Sequence, residues 1–373
     1  MNNLWSRFAT STIALLVAIS VQAQTDSKAF QDPLDTPAVE QFGFRGRTSQ
    51  PLMAITNAGT RVVAVGLRGL IIISDDQGRS WHQARVPVQT DLVAVQFVSP
   101  EQGWATGHDA VILHTEDGGR TWKKQLDNRV AAVAFPAYYR NRIASGDASA
   151  AVFLKEIELN TQGDTSLPFL SVHFTDLQHG IAVGSFGMIV STDDGGKHWI
   201  PWMDHIDNKG FLNLNVIKKI GDNLVIAGEQ GGVYRYDGAR RSFVAVSAPY
   251  KGSFFDVTGT GNFLLAVGLR GTVFRSPDGG ATWQHVDTPV KDSFTTAATV
   301  DGGAMVILGS SGGALLVSRD QGVTFQAEAV SHPMPFTGID VLGAQRLMLA
   351  GLQGVNLEQV LTGRSATFNE VSK

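Results

Sequence analysis

The chain has 373 residues, of which 41 are Gly, 13 Pro and none Cys, with 43% apolar and 17% charged residues. The absence of thiols excludes a disulfide scaffold, thiolate catalysis, a thiolate zinc site and a cysteine-held iron–sulfur cluster. Thirty Lys+Arg against 34 Asp+Glu leave a formal charge of −4, which is no footing for general nucleic-acid binding, since that needs a basic surface to displace phosphate counterions.

Met1 to Phe8 is polar with one cation, Arg7, and Ile13 to Val21 is a short apolar run followed by Val21-Gln22-Ala23. The run is shorter than the roughly 20 apolar residues of a membrane span and suits a secretory signal over residues 1–23, cleaved near Ala23. An uncleaved anchor is the alternative. The expected location is therefore exported, as in a periplasm, and peripheral to a membrane at most. Residues 24–41 are polar and interrupted by Pro33 and Pro37, which predicts a flexible lead-in. The remaining 42–373 is read as a single domain.

That domain is a repeat. An apolar run, a Gly-x-x-Gly turn or a near relative, and a second apolar run recur eight times. Their first glycines are Gly66, Gly107, Gly146, Gly184, Gly228, Gly268, Gly309 and Gly351. The spacings of 41, 39, 38, 44, 40, 41 and 42 average about 41 residues, the size of one blade of a β-propeller. Each unit starts with an alternating strand, such as Phe169-Leu170-Ser171-Val172-His173-Phe174, and its glycines are expected to supply positive φ in a tight turn. No helical period is sustained after the leader. The prediction is an all-β propeller of four-stranded blades, with eight repeats counted and seven blades as the alternative.

The third strand of a unit runs into Ser/Thr-x-Asp-x-Gly-x-Thr/Ser-Trp. This box carries Asp76 and Trp81, Asp117 and Trp122, Asp194 and Trp199, Asp278 and Trp283, and Asp320 with Phe325 in place of the indole. A worn copy spans Asp237 to Phe243. Side chains of Asp and Ser/Thr satisfy nearby main chain in a reversing turn, and the aromatic residue packs between sheets. Near-identical copies are expected of structure, whereas an active site is normally built once.

Boxes and glycine turns together make the chain resemble the BNR/Asp-box propellers of the photosystem II stability/assembly factor family, over roughly residues 42 to 373. The resemblance implies a non-enzymatic exported scaffold, periplasmic or thylakoid-lumen-like in location, that helps assemble a membrane-protein complex, its partner being that complex or an exported peptide of it. A photosystem component or a transporter would fit. Known photosynthetic members of the family are similar to seven-bladed propellers. Neither a cofactor nor a metal is implied, and the scattered histidines show no ligand pattern.

A sialidase-like glycoside hydrolase and a lectin-like sugar- or peptide-binding module are the alternatives. Against the former, Phe44-Arg45-Gly46-Arg47 lacks the usual proline and the five tyrosines include no obvious nucleophile. Gly309-Ser310-Ser311-Gly312-Gly313 matches a nucleophile elbow only formally, because that elbow needs a strand-to-helix turn. The turns between second and third strands form a ring of variable residues on the face opposite the boxes, where scaffold-mounted binding residues usually sit. The candidates are Arg68, Arg270, His108, Asp109, Phe186, Glu229, Gln230 and Gln353. Arg68 and Arg270 share the turn Gly-Leu-Arg-Gly, suit a carboxylate and come first by analogy with the arginine-bearing patch that the resemblance implies. Asp109, Asp147 and Glu229 are expected to dilute a basic ring. Phe135 to Arg142, aromatic and basic, is a second candidate interface.

Overall fold

A computed structural model describes residues 31–40, 44–45, 49–161, 167–342 and 346–359. The expected secretory segment lies outside the described residues. Strands Leu52–Ala58, Arg61–Gly66, Ile71–Ser74 and Ser80–Gln83 pair antiparallel in chain order, and Phe44–Arg45 adds a fifth strand to the outer edge. Five more four-stranded sheets repeat that order, and the last sheet shows three strands among the described residues. The blades, numbered one to seven, span 52–83, 92–126, 169–201, 214–245, 254–285, 294–328 and 336–359. First strands of neighbouring blades lie side by side, and that of blade seven packs on that of blade one, so the ring closes.

Seven sheets replace the eight units counted. The unit around Gly146 is not a blade but a helical hairpin between blades two and three. Its helices are α1, Asn128–Ala144, and α2, Ala151–Thr161. Asp127 starts it, its carboxylate accepting from the Val130 amide at 3.0 Å as an N-cap. Alanines then fill the first turns, and Ala131, Phe135, Tyr139 and Ile157 bury against blade three. The Tyr139 hydroxyl accepts from Met203 N, and Arg142 reaches Asp147 and Asp204. The hairpin so covers the outer edge of blade three, which otherwise presents unpaired backbone. Phe135 to Arg142 therefore belongs to a helix, with two of its aromatic residues committed to the core.

The stretch expected to lead in flexibly is partly held down. Leu34 is buried, Ala38 N donates to Val86 O, and Asp35 pairs with Arg129 and Lys124.

Box aromatics fill the wedges between blades. Trp81 lies with Met348 and Ala350 of blade seven, Trp122 with Val63 and Ile73 of blade one, and Phe325 with Leu265 of blade five. The seven first strands surround a channel of about 360 Å³. Lys218 neutralises Asp256 there at 2.6 Å, while burial pushes the Asp340 carboxyl up to about 6. Asp340 is thus protonated more readily folded than unfolded, so its contribution favours the fold at low pH and is lost as pH rises from about 4 through 6. We expect Asp340→Asn to stabilise the protein at pH 8 by about 2 kcal/mol, and by almost nothing at pH 4. Urea unfolding at the two pH values reads the difference.

Candidate partner-binding face

Because strands alternate in direction, the connections between second and third strands leave one face and the boxes leave the other. In blade one the turn is Gly66-Leu67-Arg68-Gly69. Gly66 is extended (φ −161°), so its glycine is not there for positive φ as the sequence suggested. A Cβ on it would lie 2.3 Å from Pro51 O; the same approach is 2.0 Å at Gly107 and at Gly268, and 2.1 Å at Gly184 and Gly228. Glycine serves here to let the chain entering the first strand cross closely. Positive φ falls on the last two residues of the turn, Arg68 (56°) and Gly69 (73°) in blade one. Asp109, Phe186, Gln230 and Arg270 repeat this left-handed conformation.

Such a conformation costs a non-glycine residue roughly 1 kcal/mol, and side chains from the following blade hold it. Asp91 Oδ1 accepts from Arg68 N at 2.8 Å, Asn213 Oδ1 from Phe186 N at 2.7 Å and Ser293 Oγ from Arg270 N at 3.1 Å. The side chains of Arg68, Phe186, Gln230, Arg270 and Gln353 are exposed to solvent. Leu67, Leu269 and Leu352 add exposed apolar surface of 37–44% beside them, and Phe186 is 47% exposed.

The acidic residues of the ring are occupied. Asp109 accepts from the Thr90 hydroxyl at 2.7 Å, and Glu229 accepts from the backbone and side-chain amides of Asn213 at 2.9 and 3.2 Å. Asp147 lies in the helical hairpin and not on the ring. No hydrogen bond or ion pair engages the guanidinium of Arg68 or Arg270 among the described residues. His108 is exposed in the turn of blade two. In blade six the register pairs Phe294 with Ser310, as Phe254 pairs with Gly268 in blade five. Ser310, not Gly309, therefore opens that turn, and Ser311 takes its second position.

On the opposite face the five boxes share one wiring. In blade one Ser74 Oγ accepts from Gly78 N at 2.7 Å, and Asp76 accepts from Ser80 N at 2.8 Å and Ser80 Oγ at 2.6 Å. Asp117, Asp194, Asp278 and Asp320 each accept from the amide four residues on. The Ser80 donors hold the Asp76 carboxyl down at about 2, and those of Thr282 lower Asp278 likewise. A carboxylate so engaged is a poor proton carrier at neutral pH. The indoles of Trp81 and Trp122 donate to the carbonyls of Gly78 and Gly119, whereas Trp283 reaches Val246 O. Trp199 is buried in the wedge before blade three.

The sequence reading missed the helical hairpin and a cavity of about 300 Å³ between blades three and four. Signals for both exist: a capping aspartate before an alanine-rich run, and the worn box at Asp237.

Comparison with known proteins fits this architecture. A photosystem II assembly lipoprotein, Ycf48, of Synechococcus sp. (strain CC9902) is 34% identical over 134 residues, 35% of this chain and 39% of that protein. The photosystem II assembly protein Ycf48 of Synechococcus sp. (strain JA-3-3Ab) is 25% identical over 317 residues, 75% of this chain and 88% of that one. Among solved structures, YCF48 bound to D1 peptide superimposes with a TM-score of 0.62 at 17% identity, over 88% of this chain and 100% of that chain. The WD40 β-propeller domain of Doa1 gives 0.58 at 10% identity, over 87% of this chain and 96% of that chain, a likeness of fold alone. The profile described as photosynthesis system II assembly factor YCF48 matches residues 73–137 and 147–284, more than half of the chain. The protein belongs to that family.

Proposed function

We propose that this chain is a non-enzymatic assembly factor that holds a peptide segment of a photosystem II membrane protein on its glycine-turn face, working in an exported compartment. The observation that carries the proposal is the pair of unengaged guanidiniums, Arg68 and Arg270, on rigid turns among exposed leucines, while the neighbouring acids are internally satisfied. Arginine with apolar surface is what a peptide interface draws on, and a guanidinium takes a carboxylate bidentately. The relatives support the class of partner: both Synechococcus proteins named above are described as photosystem II assembly proteins, and one solved structure of similar fold carries a D1 peptide. They lend no support to a transporter as partner. The box carboxylates, each spent on its own turn, support a scaffold over a glycoside hydrolase, and the lectin-like alternative gains no specific observation.

Pull-down from solubilised photosynthetic membranes, with subunits identified by mass spectrometry, tests this. Wild type should capture photosystem II subunits, and Arg68→Ala/Arg270→Ala should lower that capture at least tenfold with the fold intact. Unchanged capture would remove both arginines from the interface.

A further inference from the structure

Four wedges of the ring are closed on the box face by a side chain from the preceding blade. Arg61 donates to Gly118 O at 2.8 Å, Gln125 to Gly195 O at 2.8 Å, Arg235 to Gly279 O at 3.2 Å and Arg275 to Gln321 O at 2.8 Å. The wedge between blades three and four lacks both halves of this device. The connection from third to fourth strand in blade four is four residues, 238–241, against seven, 277–283, in blade five. At the third-strand position of Arg235 and Arg275, set by pairing with Val225 and Leu265, blade three has Ser191, which pairs with Ile181. A serine there has no reach across the gap, and no box waits on the far side.

The uncovered wedge is the cavity of about 300 Å³. Trp202 and Tyr236, with ring centroids 6.3 Å apart, line it along with Ile200 and Leu224. Arg241 stands at its rim, held in a left-handed turn (φ 50°), with no hydrogen bond or ion pair among the described residues. His198 at the rim is engaged by Asp194, and Asp193 lies on the blade-three side. The volume is at the lower end for small-molecule pockets, room for one ring and a short chain and too little for a nucleotide. An aromatic and aliphatic lining suits a ring, and an unengaged guanidinium suits a carboxylate.

We propose that this wedge is a binding site for a small aromatic monocarboxylate, its ring against Trp202 and Tyr236 and its carboxylate on Arg241. The site does not depend on the turn-face reading, because boxes and turns leave opposite faces. Isothermal titration of the full chain with 3-phenylpropanoate and with its neutral amide tests it. The acid should bind at least tenfold tighter than the amide. Arg241→Ala should bring the two within twofold, and Leu224→Trp, which fills the cavity, should abolish binding of both while thermal unfolding stays cooperative. Tyr236→Ala should weaken both ligands alike should the tryptophan disturb folding. Absence of binding at millimolar acid, equal affinity for acid and amide in the wild type, or undiminished binding to Leu224→Trp and Tyr236→Ala would overturn the proposal.

Discussion

Gly268→Ala should lower the stability of the propeller by about 3 kcal/mol, the upper part of the range for overpacking a tight site. Gly268 is extended, so an alanine could adopt its backbone angles without penalty. The cost comes from contact: the new Cβ would sit 2.0 Å from Ser253 O and 2.8 Å from Phe254 Cα, both backbone atoms that cannot swing aside. Relief would require pulling the first strand of blade five from the second, at the irregular step between Phe254 and Asp256. Gly238→Ala is the control, since nothing lies within 4 Å of a Cβ there; it should change stability by no more than about 0.5 kcal/mol. Urea midpoints of the two variants decide the matter. Equal midpoints would mean that the glycine is retained for some reason other than this crossing.

Trp81→Ala should cost still more, about 3–5 kcal/mol, as expected for emptying a fully packed aromatic site. The indole is 2% exposed and fills the wedge between the last blade and the first, against Met348, Ala350 and Leu52. Its N–H also satisfies Gly78 O at 3.2 Å. This wedge is the seam where the two ends of the chain must meet to close the ring. Among the described residues, Thr337 to Leu52 O, Asn57 to Val341 O, and Arg346 to Gln77 also tie this seam. Amide exchange in residues 346–359 should therefore accelerate in Trp81→Ala. Trp122→Ala, one wedge on, should destabilise comparably without that localised effect. A loss below about 1 kcal/mol would show that the wedge collapses onto the gap.

Much of this architecture could be read in the residues because its physical demands repeat. The strand alternation, the glycine at the crossing and the box each have one steric or hydrogen-bonding solution; the glycine crossing returns in six of the seven blades and the box in five. What failed was the reading of single exceptions. Ile143-Ala144-Ser145-Gly146 looks like a blade turn, yet the spacing from Gly107 to Gly184 holds one blade and a helical hairpin started by Asp127. The Gly309 to Gly313 run has glycine on both sides of Ser310, so spacing alone could not fix the register that strand pairing sets. At the candidate face, the composition of the ring was legible but its charge balance was not. Asp109 and Glu229 read as free acids until their partners, Thr90 and Asn213, were placed beside them. The cavity between blades three and four escaped notice because it is made by something missing. A shortened turn at Asp237 and a serine at 191 become meaningful only once the braces of the other wedges are seen.

In the function proposed above, the glycine-turn face receives a peptide while the box face serves shape. Amide exchange of the full chain with and without a saturating D1 peptide measures this directly, blade by blade. Exchange should slow at 66–70 and 268–272, with 74–81 and 276–283 unchanged. Protection confined to the boxes, with the turns unaffected, would contradict it.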